Sequence, residues 1–520
     1  MAGNDTACGP SLPDLPPEIL SKVFSYLAGT PSIQAVLKTC ITFYNAALPL
    51  SVSTFHNIVH PYKDGSSCSP SRNAQFLHYI LISKPWLAQH VNTVVLGSCS
   101  TTGSDEANAI SAEADLAVCR ERMDSILGRI SDEDHSEWWA EWIADLEKGC
   151  SDAQASLILL VCPNIRALLF EESRRRGHFI RLLGFLAHLF WVYARTPEPG
   201  IDPKIPLSNL QDVFHEGNDI YFCYTRWCEK WPMLFGLPRL RYYQCHLPFG
   251  DLRGEAMFGH LPPRFSLVEE ITLRSAYIRP STLSKLLNAC KALRNMRRPE
   301  VTAPRELLES ILLHAESLTE LYINTEEDRD KGCRYRVNDI LCICTGLRKM
   351  VALRKLTVGM QCLTGMLAAE PENNENIYMP LELESAMRLV DCLPENLEYL
   401  KTHSCGAAVY DQASELLRAV EQGHRFRHLT EICFLFIGWL VERPSPLYCT
   451  APNVRLRIGQ QTKTAYHHDL GHPYADGQVA GRGARNVTSH IHGTNLRREY
   501  LAVRGLVGPP RNACSSTDDP

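Results

Sequence analysis

The string His468-Asp469-Leu470-Gly471-His472 carries the most chemistry per residue in the chain. Two histidines four apart can share a helix face and hold a metal ion, with the residue after the first acting as base. Here that residue is Asp rather than Glu, and Gly471 and Pro473 prevent the helix that would aim both imidazoles at one point. His467, His490 and His492 are near in sequence, but a Gly- and Pro-rich stretch does not pre-organise them. No metal site is expected there. The thiol pairs Cys342-x-Cys344 and Cys223 with Cys228 each lack a second pair at zinc spacing. Neither G-x-x-x-x-G-K-[ST] nor G-x-S-x-G occurs, and the clusters Arg174–Arg176 and Arg297-Arg298 read as solvated faces. The residues suggest no catalytic group and no cofactor, so the chain is expected to act by binding.

What the elements must position is therefore a surface. Lys and Arg number 53 against 58 Asp and Glu, a net charge of -5 and a pI near 6.4. That balance argues against a general nucleic-acid binder. Apolar residues make 45% and charged ones 21% of 520 residues, an ordinary globular composition, and the length suggests about three domains. Twenty cysteines are too sparse for a disulfide scaffold. The opening MAGNDTACGPSLPDLPPE shows no basic and no long apolar region, so no signal peptide is expected and the thiols should stay reduced. The most apolar stretches, Phe179–Ala194 and Leu429–Val441, fall short of the roughly 18 uninterrupted residues a spanning helix needs. A soluble protein of the cytoplasm and/or nucleus is expected, without a membrane partner.

Residues 10–55 form the first organised unit. Pro17 suits a first helical position, where its missing N–H would be unpaired anyway, and Glu18 answers the helix dipole. Leu15, Ile19, Val23 and Leu27 then recur every four residues, with Leu20 and Phe24 in a stripe beside them. Gly29-Thr30-Pro31 stops that helix. Ile33, Val36, Leu37, Cys40, Ile41 and Tyr44 follow helical spacing until Pro49. So little chain cannot bury every stripe against itself, and one is left for a partner.

The run LPPEILSKVFSYL followed by LKTCITFYNAALPL resembles the F-box as it appears in fungal proteins. Many F-boxes carry a Trp late in the third helix, where this chain has Phe43 and Tyr44. The resemblance implies docking on the Skp adaptor, and through it on cullin, within a ubiquitin ligase. Leu15, Pro16, Ile19, Leu20, Val23 and Leu27 are the residues expected to bind it.

Residues 75–445 show a recurring comb. Around an anchor such as Leu318, apolar residues fall at offsets −10, −7, −6, −3, +3 and +5: Leu308, Ile311, Leu312, Ala315, Leu321 and Ile323. Ile165, Leu293 and Leu347 anchor similar sets, with Arg298 failing one tooth and Cys162, Cys290 and Cys344 filling the −3 position. The upstream half has helical spacing and the downstream half alternates like a strand, so each unit is a helix feeding a strand. Strand halves recur at Val91, Leu240, Val268, Leu397 and Leu429, while Leu347 and Leu353 compete for one register. The 25-residue steps Val268–Leu293–Leu318 lie within the period of leucine-rich repeats, and the segment resembles the irregular repeats that often follow an F-box.

Gaps of 74 and 75 residues flank Ile165, too long for single repeats. They hold Trp138, Trp139 and Trp142 and the amphipathic run Phe179–Tyr193, expected as helical insertions on the stack. Trp138 and Trp142, one turn apart, are a candidate substrate patch. Residues 446–520 lose periodicity and read as a mostly disordered tail, with a short element near Leu496–Val507. The expected fold is thus α/β: an N-terminal helical F-box, an irregular leucine-rich-repeat-like solenoid and a disordered tail. The expected function is a substrate receptor binding a protein, with a non-degradative repeat scaffold as the alternative.

Overall fold

A computed structural model describes residues 12–27, 32–57, 72–97, 113–127, 136–171, 178, 181–186, 205–216, 231–246, 262–274, 280–298, 304–323, 344–364, 387–405, 409–437, 447, 449, 451 and 453–461. Helix α1 (Pro17–Ser25) begins at Pro17 and turns Leu20 and Phe24 inward. The residues at helical spacing from Ile33 to Tyr44 fall in two helices, α2 (Ser32–Leu37) and α3 (Ile41–Ser51). Cys40, with φ −156° and ψ 168°, interrupts the helix between them. Pro49 does not end α3: it sits in the last turn, where its missing N–H costs a single bond. The three helices close over Leu20, Phe24, Ile33, Phe43, Ala46 and Ala47, with the Phe24 and Phe43 rings edge-to-face at 5.1 Å.

Two residues after α3, the chain starts a sheet that runs the rest of its described length. The strands are β1 (Thr54–His56), β2 (Thr93–Leu96), β3 (Ala167–Glu171), β4 (Asp212–Glu216), β5 (Tyr242–His246) and β6 (Glu270–Arg274). They continue as β7 (Asn295–Arg298), β8 (Glu320–Ile323), β9 (Lys355–Gly359), β10 (Tyr399–Cys405), β11 (Glu431–Ile437) and β12 (Arg455–Gln461). All 12 lie in one parallel sheet in strict sequence order. The register is continuous: Phe55, Val94, Leu168, Val213, Tyr243, Ile271, Met296, Leu321, Leu356, Leu400, Ile432 and Leu456 form a single column across it. These are the +3 teeth of the comb.

One backbone motif repeats at the strand starts. The amides of Arg241 and Tyr242 both donate to the Gln211 carbonyl, those of Glu269 and Glu270 to Arg241, and those of Arg294 and Asn295 to Glu269. The pattern continues through Thr319, Arg354 and Glu398 to Thr430, and back through Arg166 and Asn92 to Ser53. Each unit therefore hands its first carbonyl to the next unit. Asparagines reinforce this: the side-chain amides of Asn164, Asn209 and Asn396 donate to the carbonyls of Gln89, Pro163 and Val351 in the preceding unit.

Helices carry the chain back between parallel strands, as the geometry of parallel pairing requires. Among them are α4 (Arg72–His78), α5 (Glu113–Leu127), α6 (Ser136–Glu147) and α7 (Ser151–Val161), then Pro280–Ala289, Pro304–Leu312, Met360–Thr364 and Val409–Glu421. The +3 residues from β1 to β11 and buried residues of these helices form the main core, continuous from Phe55 to Leu447. His314 stitches two units there. Its Nδ1 accepts the Leu293 N–H at 3.3 Å while Nε2–H donates to the Leu287 carbonyl at 3.0 Å.

Three expectations need correction, and one choice that the sequence left open is resolved. The gap before Ile165 is crossed in one step of the sheet, enlarged by α5 and α6. The gap after it holds an unforeseen strand, β4. Leu353, not Leu347, is the anchor beside β9: Leu347 and Met350 are buried where the preceding helical turn ends. Finally, the boundary at 446 falls too early, because Arg455–Gln461 pairs with β11 and Leu447 is buried in the main core. The alternation of arginines with Leu456 and Ile458 there reads as polar tail until the strand is paired. Leu496–Val507 lies outside the described residues.

Candidate functional site

Helix α1 has two faces. Leu20, placed above among the docking residues, is fully buried and holds the helix to α2 and α3, so it is a core residue. Leu15 and Leu27 are half-buried against that cluster. Pro16 is exposed, as are Ile19 (49%) and Val23 (42%), and Tyr26 (78%) extends their stripe by three residues. Ile41, at the start of α3, is also exposed. Tyr26 falls outside the four-residue period read along α1, and the spacing alone reads Ile41 as a member of the second helical stripe and not as a surface residue.

The helical unit is fixed to the sheet. Leu48, Val52 and Leu87 form a bridging cluster with Leu37, Tyr44, Phe76 and Tyr79 around it. Lys84 Nζ donates to Tyr44 Oη, a hydrogen bond that raises the lysine pKa, and lies over the Tyr44 ring. An open cavity of about 480 Å³ lies beside this joint, with Tyr44, Phe55, Phe76, Tyr79, Arg72 and His56 among its lining residues.

The tryptophans of α6 pack inward. Trp142 is fully buried with its Nε1–H on the Ala153 carbonyl at 2.9 Å, and Trp138 stacks on it at 5.6 Å. Trp138 Nε1–H donates to His178 Nδ1 at 3.2 Å, leaving His178 Nε2 to donate to Asp145 at 2.9 Å. Burial works to raise the Asp145 pKa, but the bonds from His178 and Lys148 prevail and hold the carboxyl below its usual value. Trp138 and Trp142 are thus a packing device and not a substrate patch. Leu182, Leu183 and Leu186 of the second insertion are buried in the same core.

Alternate strand residues point away from the core. On that second face, Val95, Ala167, Leu169, Phe214 and Tyr242 form a separate buried cluster across β2–β5. Further along, the face is charged. Glu320 accepts from Lys355 at 2.6 Å and from Arg297 at 3.3 Å. Burial alone would raise its pKa, and the two cations bring it below normal. Arg457 pairs with Glu431 at 2.9 Å. Lys401 is half-buried, and desolvation, with Arg457 adding repulsion, lowers its pKa. Of these residues only Arg297 was singled out from sequence, as a solvated face, although all of them fill the slots between the apolar teeth.

Cys162 and Cys290 are buried thiols at helix ends, and burial pushes Cys290 up to about 12 and Cys162 higher still. Arg297 is an exposed ion-pair residue on β7. The Cys344 backbone starts a helical turn. His467, His468, His472, His490, His492, Cys223, Cys228, Cys342 and Arg174–Arg176 lie outside the described residues. Among the described residues no three His, Cys, Asp or Glu side chains gather at metal-binding distance, and no helix is long and apolar enough to cross a membrane. No family model matches the chain, and no curated protein matches it.

Proposed function

We propose that the chain is a substrate-receptor subunit of a Skp–cullin–F-box ubiquitin ligase. The N-terminal helices are an F-box that docks on the Skp adaptor, and the sheet with its helices is an irregular leucine-rich-repeat solenoid that binds a protein substrate. The observation that carries this reading is the exposed Ile19–Val23–Tyr26 stripe on a helix whose other stripe is already packed. An apolar stripe held rigidly at the surface is a docking face. Support also comes from the sequential parallel ladder, since a stack in which each unit touches its neighbours offers one extended surface. The chain then acts by proximity, raising the effective concentration of substrate lysines near the ubiquitin-loaded partner. With its ligase it is placed in the cytoplasm or nucleus.

The test is affinity purification of the full chain with and without proteasome inhibition. A Skp-type adaptor in both samples, with a protein enriched only under inhibition, is the expected result. Adaptor without any inhibitor-dependent protein would favour a non-degradative scaffold, and loss of the adaptor would end the F-box reading.

A further inference from the structure

We infer that the open face of β9–β12 receives an extended, Asp/Glu-rich segment of a partner protein. The inference rests on the reading of this sheet as the substrate-binding surface and names the chemistry of what it binds.

Two rows of the face-pointing positions of these strands carry the charge. Lys355, Tyr399, Glu431 and Arg455 align in one; Thr357, Lys401, Cys433 and Arg457 align in the other. Four cations face one carboxylate, in a chain whose overall charge is -5. The positive charge is therefore local rather than a general property of the surface. Glu431 is engaged by Arg457, and Lys355 is engaged by Glu320 from the neighbouring strand. Lys401 and Arg457 stand two strands apart with Cys433 between them, a separation of about 10 Å at ordinary strand spacing. Partial burial of Lys401, and after it the repulsion from Arg457, disfavour its charged form, and an anion held between the two cations relieves both.

The other end of the same face differs. On β2–β5 it is apolar and already buried, and on β6–β8 the carboxylates Glu270 and Glu320 stand beside Arg297. The side chains of Lys355 and Arg457 remain at least half exposed, and Arg455 is exposed, so the cationic end is accessible. An extended peptide presents alternate side chains about 7 Å apart, which lets two or three carboxylates reach cations in both rows. A nucleic-acid backbone fits less well, because it carries a phosphate at every nucleotide and cannot skip Glu431, whereas a peptide can place a neutral residue there.

The experiment uses the full chain and a fluorescein-labelled Glu-Ser repeat peptide, followed by anisotropy. A neutral Gly-Ser peptide and a single-stranded oligonucleotide of equal length are the comparisons. The acidic peptide is expected to bind, more weakly as salt rises, and the Gly-Ser peptide is not. Arg455→Ser with Arg457→Ser should weaken binding about tenfold or more. Melting temperature monitors folding, and Lys355→Gln on an interior strand gives an independent reading if the double variant is destabilised. Equal affinity for the neutral peptide, preference for the oligonucleotide, or indifference to all three substitutions would overturn the inference. Adaptor capture, measured on the same variants, reports the F-box reading separately: its loss in the unmodified chain sinks that reading and leaves peptide binding to be judged by itself.

Discussion

Ile19 and Leu20 are neighbours in sequence with opposite roles. The first projects from α1 and the second is fully buried beneath it. Replacing Ile19 and Val23 together by Ala removes apolar contact worth about 2–4 kcal/mol at a docking helix. Adaptor capture should collapse while the melting temperature holds. Leu20→Ala should instead cost roughly 2–5 kcal/mol of stability in the N-terminal unit. If both variants lose stability equally, the docking assignment fails. Histidines supply a second residue-scale expectation. Burial moves His403 from an ordinary 6.5 down to about 4, with Lys401 adding repulsion, while its Nε2 bonds the Ile323 carbonyl at 3.2 Å. Burial lowers His314 as well. Between those values the unfolded chain binds more protons than the folded one. The stabilisation is therefore complete above about pH 6.5 and is lost as pH falls towards 4, on the order of 3 kcal/mol for His403. Denaturant melts across that range should show a shallower slope for His403→Asn; an unchanged slope would contradict the assignment.

At the scale of elements the units share one core, so damage should spread to neighbours. Leu286 is buried in the helix Pro280–Ala289, whereas Lys291 just beyond it is exposed. Leu286→Asp forces a charge into that core and should cost about 3 kcal/mol or more. Hydrogen exchange should quicken in β7 and β8 as well, while Lys291→Asp should leave both unchanged. Equal effects at both sites would break the register. Much of this register was legible, because the +3 and +5 teeth are apolar in most units. Two of the strands that escaped have a polar +5 tooth, and β12 escaped because arginines alternate with its apolar ones. In β4 the tooth is His215, buried with its Nδ1 3.1 Å from Cys245 Sγ and its ring stacked on Phe170 at 4.7 Å. At β1 it is Asn57, whose side-chain oxygen accepts the Gly97 N–H. The Leu347 and Leu353 registers stayed undecided for the reverse reason: a helix end supplied apolar residues at strand spacing. The charged face was not legible at all. Lys401, Cys433 and Arg457 become neighbours only once strands far apart in sequence are aligned.

The whole molecule depends on where the ladder stops. β12 pairs with β11 at every residue from Arg455 to Gln461. Leu447 is buried in the main core, and Cys449, Ala451, Val454 and Leu456 pack against it. A cut after Arg443 removes all of these and leaves β11 as the edge, with Ile432, Phe434 and Phe436 exposed along one side. Such an apolar edge pairs with other chains. That truncated protein should lose roughly 2–5 kcal/mol and show aggregation on melting. A cut after Gln461 keeps the strand and removes a Gly-, Pro-, His- and Arg-rich stretch with too little apolar surface to repay ordering costs of about 1–2 kcal/mol per residue. It should melt like the full chain and capture adaptor equally well. The second cut also deletes His467, His468 and His472. Zinc content measured on all three proteins therefore separates two causes of stability. A drop at the first cut alone assigns it to β12. A drop at the second cut, accompanied by loss of one tightly held zinc, would assign it to a metal-folded tail, because metal binding to such a segment is folding energy.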